Sequence, residues 1–135
     1  TEKAVLGQYA EAVEHFEAGF AAVAGQVDQG VLLHILEAET VDENGVSVDN
    51  AALTSAGGSG VLQVTAFSGF SGAIVKIQHS SDNSNWVDLI TFTTVASAPT
   101  AERKTVSSTV NRYLRYSIDV TGSGSITFLV GFARG

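Results

Sequence analysis

The chain has 135 residues, 44% hydrophobic and 16% charged, with no Cys, no Met and a formal net charge of −7. That size suits one domain with its own core, and low charge with high apolar content argues against global disorder. The missing Cys excludes a disulfide scaffold, a cysteine nucleophile and a Cys-ligated zinc site, and the acidic balance argues against a phosphate-binding surface.

Charge divides the chain. Residues 1–50 hold ten acids and one base, Lys3, a net of −9, while residues 51–135 hold four acids and six bases, a net of +2. This reads as a solvated acidic face, or as an acidic surface meeting a basic one in an assembly. The first residue is Thr1, so the chain reads as processed or as the ordered part of something longer, and it shows no signal-like segment. Its apolar runs fall short of the roughly 20 residues that span a bilayer, so no membrane partner is expected.

The segment 4–27 is the one good helix candidate. Leu6, Tyr9, Val13, Phe16, Phe20, Val23 and Val27 step alternately by three and four, which puts them on one apolar stripe. Ala at several positions favours helix, while Gly7, Gly19 and Gly25 each weaken it by roughly 1 kcal/mol. Alternation over 16–24 also permits a strand. Alone such a helix is marginal, so its stripe must pack on its own domain or on a neighbour. Residues 1–28 are therefore expected to form a helical or extended arm for packing or oligomerisation, and 29–135 a separate β domain. Leu6, Tyr9, Val13, Phe16, Phe20 and Val23 are candidate assembly contacts.

From residue 30 the period becomes two. Val31–Leu36 is a short apolar run, followed by the acidic, turn-rich Glu37–Asn50, with a turn at Asp42-Glu43-Asn44-Gly45. Ala56-Gly57-Gly58-Ser59-Gly60 reads as a flexible breaker. Strands are expected at 61–67, 73–79, 86–93, 103–108, 112–120 and 125–133. Thr121-Gly122-Ser123-Gly124 reads as a tight hairpin. Many short strands with regular turns indicate a mainly β protein, an antiparallel β-sandwich of Ig-like or jelly-roll-like type. Alternation points Ile126, Phe128, Val130 and Phe132 inward, together with Leu114, Tyr116, Ile118 and Val120; Leu129 faces the other way and suits an interface.

Site chemistry is sparse. His15 reads as solvated, His34 as a satisfied, partly buried histidine, and His79 as a strand-end histidine. None has metal-ligand spacing, so no metal, cofactor or catalytic residue is expected. Glu37, Glu39, Asp42, Glu43 and Asn44 form an acidic cluster whose oxygens could hold calcium, but its spacing matches no helix–loop–helix site, and an exposed acidic loop is the plainer reading. Asp82-Asn83-Ser84-Asn85-Trp86 is similar to the Asp-containing hairpin turns of sialidase-like and sugar-binding β proteins, one residue shorter. Asp82 is expected to cap backbone N–H groups and Trp86 to be core. Arg112 and Arg115 flank Tyr113 and Leu114, with Arg103-Lys104 nearby in sequence. They suit interfacial salt bridges to the acidic half better than sequence-specific nucleic-acid binding.

Several strings resemble a group of tailed-bacteriophage virion proteins. They are Gly30-Val31-Leu32-Leu33-His34, Val48-Asp49-Asn50, the stretch from Val75 to Leu89, Val110-Asn111-Arg112-Tyr113-Leu114-Arg115, Ile126-Thr127-Phe128 and Gly131-Phe132-Ala133-Arg134. In that group this β module forms the C-terminal portion of tail-tube or major tail subunits, and the resemblance covers roughly 28–135. It implies a virion location and a structural protein in repeated copies, whose partners are itself and other virion proteins, with no active site or cofactor. The chain departs from the group in lacking a tube-forming N-terminal half, and 4–27 does not match a tube strand. Both departures point toward the alternatives of capsid decoration or a fibre-like appendage. A carbohydrate or cell-surface binding module is the other alternative.

Overall fold

The computed structural model describes residues 30–135. The expected arm, with Leu6, Tyr9, Val13, Phe16, Phe20 and Val23, and also His15, lies outside the described residues.

Nine strands follow in order: β1 (Val31–Glu39), β2 (Glu43–Asn44), β3 (Val48–Asp49), β4 (Gly58–Ser68), β5 (Gly72–Ser80), β6 (Val87–Thr91), β7 (Thr100–Val106), β8 (Tyr113–Thr121) and β9 (Ser125–Arg134). Sheet 1 has the order β1-β9-β4-β7, and sheet 2 the order β2-β8-β5-β6 with β3 also on β8. Every strand pairing among the described residues is antiparallel. The mainly β, two-sheet sandwich expected from the alternation is the fold observed, and no helix occurs among the described residues.

The core lies between the sheets. Ile126, Phe128, Val130 and Phe132 enter it from β9, Leu62 and Val64 from β4, Val75 and Ile77 from β5, and Leu114, Tyr116 and Ile118 from β8. Val120 packs half-buried at its margin. The inward faces read from alternation are therefore the buried ones. Each large side chain so buried contributes about 1.5–3 kcal/mol against the cost of ordering the chain.

Two expected turns are otherwise. The 56–60 breaker is mostly strand: Gly58, Ser59 and Gly60 are buried in β4, between β9 and β7. Glycine is there for space. A Cβ on Gly60 would stand 2.8 Å from the Cδ1 atoms of Ile77 and Ile90 in the facing sheet, and one on Gly58 would strike the Ala133 carbonyl. The 121–124 turn makes no hairpin, because β8 lies in sheet 2 and β9 in sheet 1. It is an arch that carries the chain across the core, and so is Ser68–Gly72 between β4 and β5. A turn sequence reports that the chain reverses but not which sheet it joins.

Sheet 1 is apolar on its other face too. Leu129 and Ala133 are buried there, with Leu32, Leu36 and Val61 packed against them. An antiparallel sheet commonly turns one face to the core and one to water, so this second apolar cluster is an added feature.

Candidate functional site

The polar side chains converge where the two sheets meet beside β1. The apolar run expected at Val31–Leu36 continues as strand to Glu39, and residues 40–42 then cross to sheet 2. Asp42 anchors the crossing, its Oδ1 accepting a hydrogen bond from the Val120 N–H at 2.8 Å. Beyond it, the Gly45 N–H donates to the Tyr116 carbonyl at 2.8 Å. A Cβ on Gly45 would strike the Tyr116 ring, so glycine lets this segment lie against that ring.

β1 is irregular. Its register against β9 shifts between Leu32 and His34 and again between Ile35 and Glu37, and Leu36 has φ 45°. In a regular strand, residues 34 and 37 point to opposite faces. The second irregularity turns Glu37 and Glu39 to the side of His34, opposite the inward-facing Phe128 and Ile126. Bulges re-aim side chains in this way, and a leucine in the left-handed region persists only where its surroundings hold it.

His34 is 6% exposed. Its ring stacks on Phe128 with centroids 3.9 Å apart and planes 6° from parallel, and meets Tyr116 edge-on at 4.8 Å. Nδ1 lies 2.8 Å from the Phe128 carbonyl oxygen, and Nε2 lies 3.0 Å from Glu39 Oε1. A carbonyl can only accept, so Nδ1 carries a hydrogen and donates it. Nε2 then faces a carboxylate that accepts as well, unless a proton or another cation joins the two.

Glu39 and Glu43 are in contact. Burial works to raise the Glu39 carboxyl, but hydrogen bonds from Glu43 and His34 outweigh it and hold the group below the ordinary carboxylate range. Glu43 is pushed up, first by its hydrogen bond to Glu39 and then by burial. One carboxyl of the pair thus keeps its proton more readily than the other. Burial, and then the nearby Glu39, Glu43 and Glu37 carboxylates, push the Tyr116 hydroxyl upward. Beside this cluster is a cleft of about 310 Å³, lined among others by Leu32, Ile35, Glu37, Glu43, Val46 and Tyr116. Among the described residues, no Lys or Arg forms an ion pair with Glu37, Glu39 or Glu43.

The other residues singled out in the sequence lie elsewhere. Asp82 accepts from the Ser84 and Asn85 N–H groups at 2.9 and 2.8 Å, from Asn85 Nδ2 at 2.7 Å and from Ser80 Oγ at 2.9 Å. These bonds, the backbone ones first, hold its carboxyl well below the usual range. Trp86 is not core: it is half-buried under the Arg115 guanidinium, 4.3 Å from the ring centroid. It sits at the mouth of the β5–β6 hairpin, where Arg115 Nε also donates to Gln78 Oε1 at 2.8 Å. Arg112 makes two bonds to Asp49, at 2.6 and 2.8 Å, and lies over the Tyr113 ring at 5.0 Å. Both arginines thus have partners within the chain. His79 Nδ1 accepts from the Asn111 N–H at 3.0 Å; burial, then the Arg134 charge, lower its affinity for a proton. Arg134, which sequence reasoning did not single out, donates to Thr54 Oγ1 and to the carbonyls of Val110, Asn111 and Arg112.

No protein-family model matches the chain, and no curated protein matches it either. A solved structure titled "Crystal structure of PirA" is similar at a TM-score of 0.40 and 14% identity, over 71% of this chain and 90% of that one. A likeness at that level carries no argument about function.

Proposed function

We propose that this protein is a non-enzymatic structural subunit of a tailed-phage virion, a tail-tube or major tail subunit that assembles with its own copies into rings or a tube. The observation that carries the assembly reading is the second apolar cluster on sheet 1, formed by Leu129 and Ala133 with Leu32, Leu36 and Val61. A sandwich needs one apolar face per sheet, and a second one suits a further packed layer. The apolar stripe expected from the sequence of residues 4–27 is the segment of matching character, and exchange of such segments between subunits would give heterologous contacts that close into rings or continue as tubes. The virion setting itself rests on the sequence resemblance.

Capsid decoration and fibre-like roles share this requirement for self-assembly and differ in the particle formed. Sugar binding is less well supported, since a guanidinium lies over each of the two aromatic rings, Trp86 and Tyr113, that would stack on a ligand.

Light scattering on the size-fractionated full chain, followed by electron microscopy, tests the reading. Rings or tubes are expected, and Phe16→Glu with Phe20→Glu should abolish them while the β domain stays folded. A monomer at high concentration, or a double variant that still assembles, overturns it.

A further inference from the structure

We propose that His34, Glu37 and Glu39 form a binding site for a zinc ion. The sequence reading expected no metal, and this inference is independent of the assembly reading. One nitrogen of His34 and one oxygen from each of the two glutamates lie within 4.8 Å of one another. A tetrahedral zinc ion with bonds near 2.0–2.2 Å separates its ligand atoms by about 3.3–3.5 Å. The pair His34 Nε2 and Glu39 Oε1, at 3.0 Å, is already close to such an edge. Glu37 is exposed, so its side chain is free to swing in over the remaining distance.

The histidine carries the argument. It is buried, its plane is fixed by Phe128 and Tyr116, and its Nδ1–H is committed to the Phe128 carbonyl. In the neutral ring that leaves a lone pair on Nε2, aimed at a carboxylate oxygen. Metal-bound histidines are held in this way, the second nitrogen tied to a carbonyl so that the first presents its lone pair to the ion. A dication would satisfy Nε2 and Glu39 together. It would also offset the crowding of Glu37, Glu39 and Glu43, which pair with no Lys or Arg among the described residues. The two shifts of register and the left-handed Leu36 are what bring these side chains to one side of the strand.

An imidazole with carboxylates favours zinc over calcium, which takes six or more oxygens. Zinc chloride titrated by calorimetry into the chelator-treated full chain should show one saturable site and a raised unfolding midpoint. Glu37→Gln should weaken zinc binding at least about tenfold. Because Glu37 is exposed, that variant should leave the metal-free unfolding midpoint unchanged. Cobalt(II) in place of zinc should give the visible absorption of a tetrahedral site, lost in Glu39→Gln. The proposal is overturned by the absence of saturable zinc binding, by zinc binding as tight in Glu37→Gln as in the parent chain, or by tighter binding of calcium than of zinc.

Discussion

Two acidic corners of this molecule solve opposite problems. At the Asp82 turn, one carboxylate is surrounded by neutral donors from residues 80, 84 and 85, and every bond favours its charged form. At the β1 crossing, Glu39 and Glu43 face each other, and His34 bonds to Glu39. The turn is finished by its own sequence. The crossing gathers two carboxyls beside one histidine, and among the described residues no Lys or Arg pairs with either of them. Acidic residues close in sequence therefore say little about a site until their donors are known.

The comparison can be broken from either side. The largest effect should come from Phe128→Ala, which removes both a core ring and the surface on which His34 stacks. It should cost about 3–5 kcal/mol in denaturant unfolding. A loss below about 2 kcal/mol would mean that the crossing collapses into the cavity and is less rigid than its geometry implies. Asp82→Ala should cost less, seen as a lower thermal midpoint, with the damage confined to amide exchange around the β5–β6 hairpin. If exchange spread to β1, the corners would be coupled.

Acid should act through the donor-rich carboxylates. Bonds from Arg112, then from the Ala51 N–H, lower Asp49 from 3.8 to about 2, and Asp82 is likewise held down. A carboxyl depressed in the folded state adds stability that is complete above its unfolded value and lost as pH falls through its folded value. Unfolding midpoints should therefore begin to drop below about pH 4 and keep dropping toward pH 2. Asp49→Asn with Asp82→Asn should flatten that slope. The smallest effect is of opposite sign. In chelator at neutral pH, Glu43→Gln removes one of two crowded carboxyls and should leave stability unchanged or raise it by less than about 1 kcal/mol. A clear loss would show that the Glu39–Glu43 contact stabilises the fold.

Much of the fold was legible in the residues. Alternation in 114–120 and 126–132 put the correct side chains inside, because a half-buried strand must repeat every two residues. The Asp82 turn was legible too, since its donors lie within three residues. What escaped was non-local. Gly58 and Gly60 read as a breaker because the Ile77 and Ile90 side chains that need their space come from the other sheet. The Gly122 turn read as a hairpin because nothing in it says that β9 joins β1 and β4. His34 and the acidic cluster were each singled out, but separately. Their meeting depends on irregularities in β1 that place residues 34, 37 and 39 on one side. The stripe residues of the arm lie outside the described residues, while Arg112 and Arg115, noted as assembly contacts, are bonded to Asp49 and Gln78.

The place of β9 bears on how the protein is made. It is the last of the described strands, yet it lies between β1 and β4, which do not pair with each other. As the polypeptide leaves the ribosome, both strands emerge with open edges and wait for Ser125–Arg134 before sheet 1 can join. Open edges of apolar strands are templates for pairing with other chains. Sheet 1 therefore stays split until residues 125–134 have been made, and a ribosome stalled short of residue 125 should yield aggregates rather than a partly folded domain.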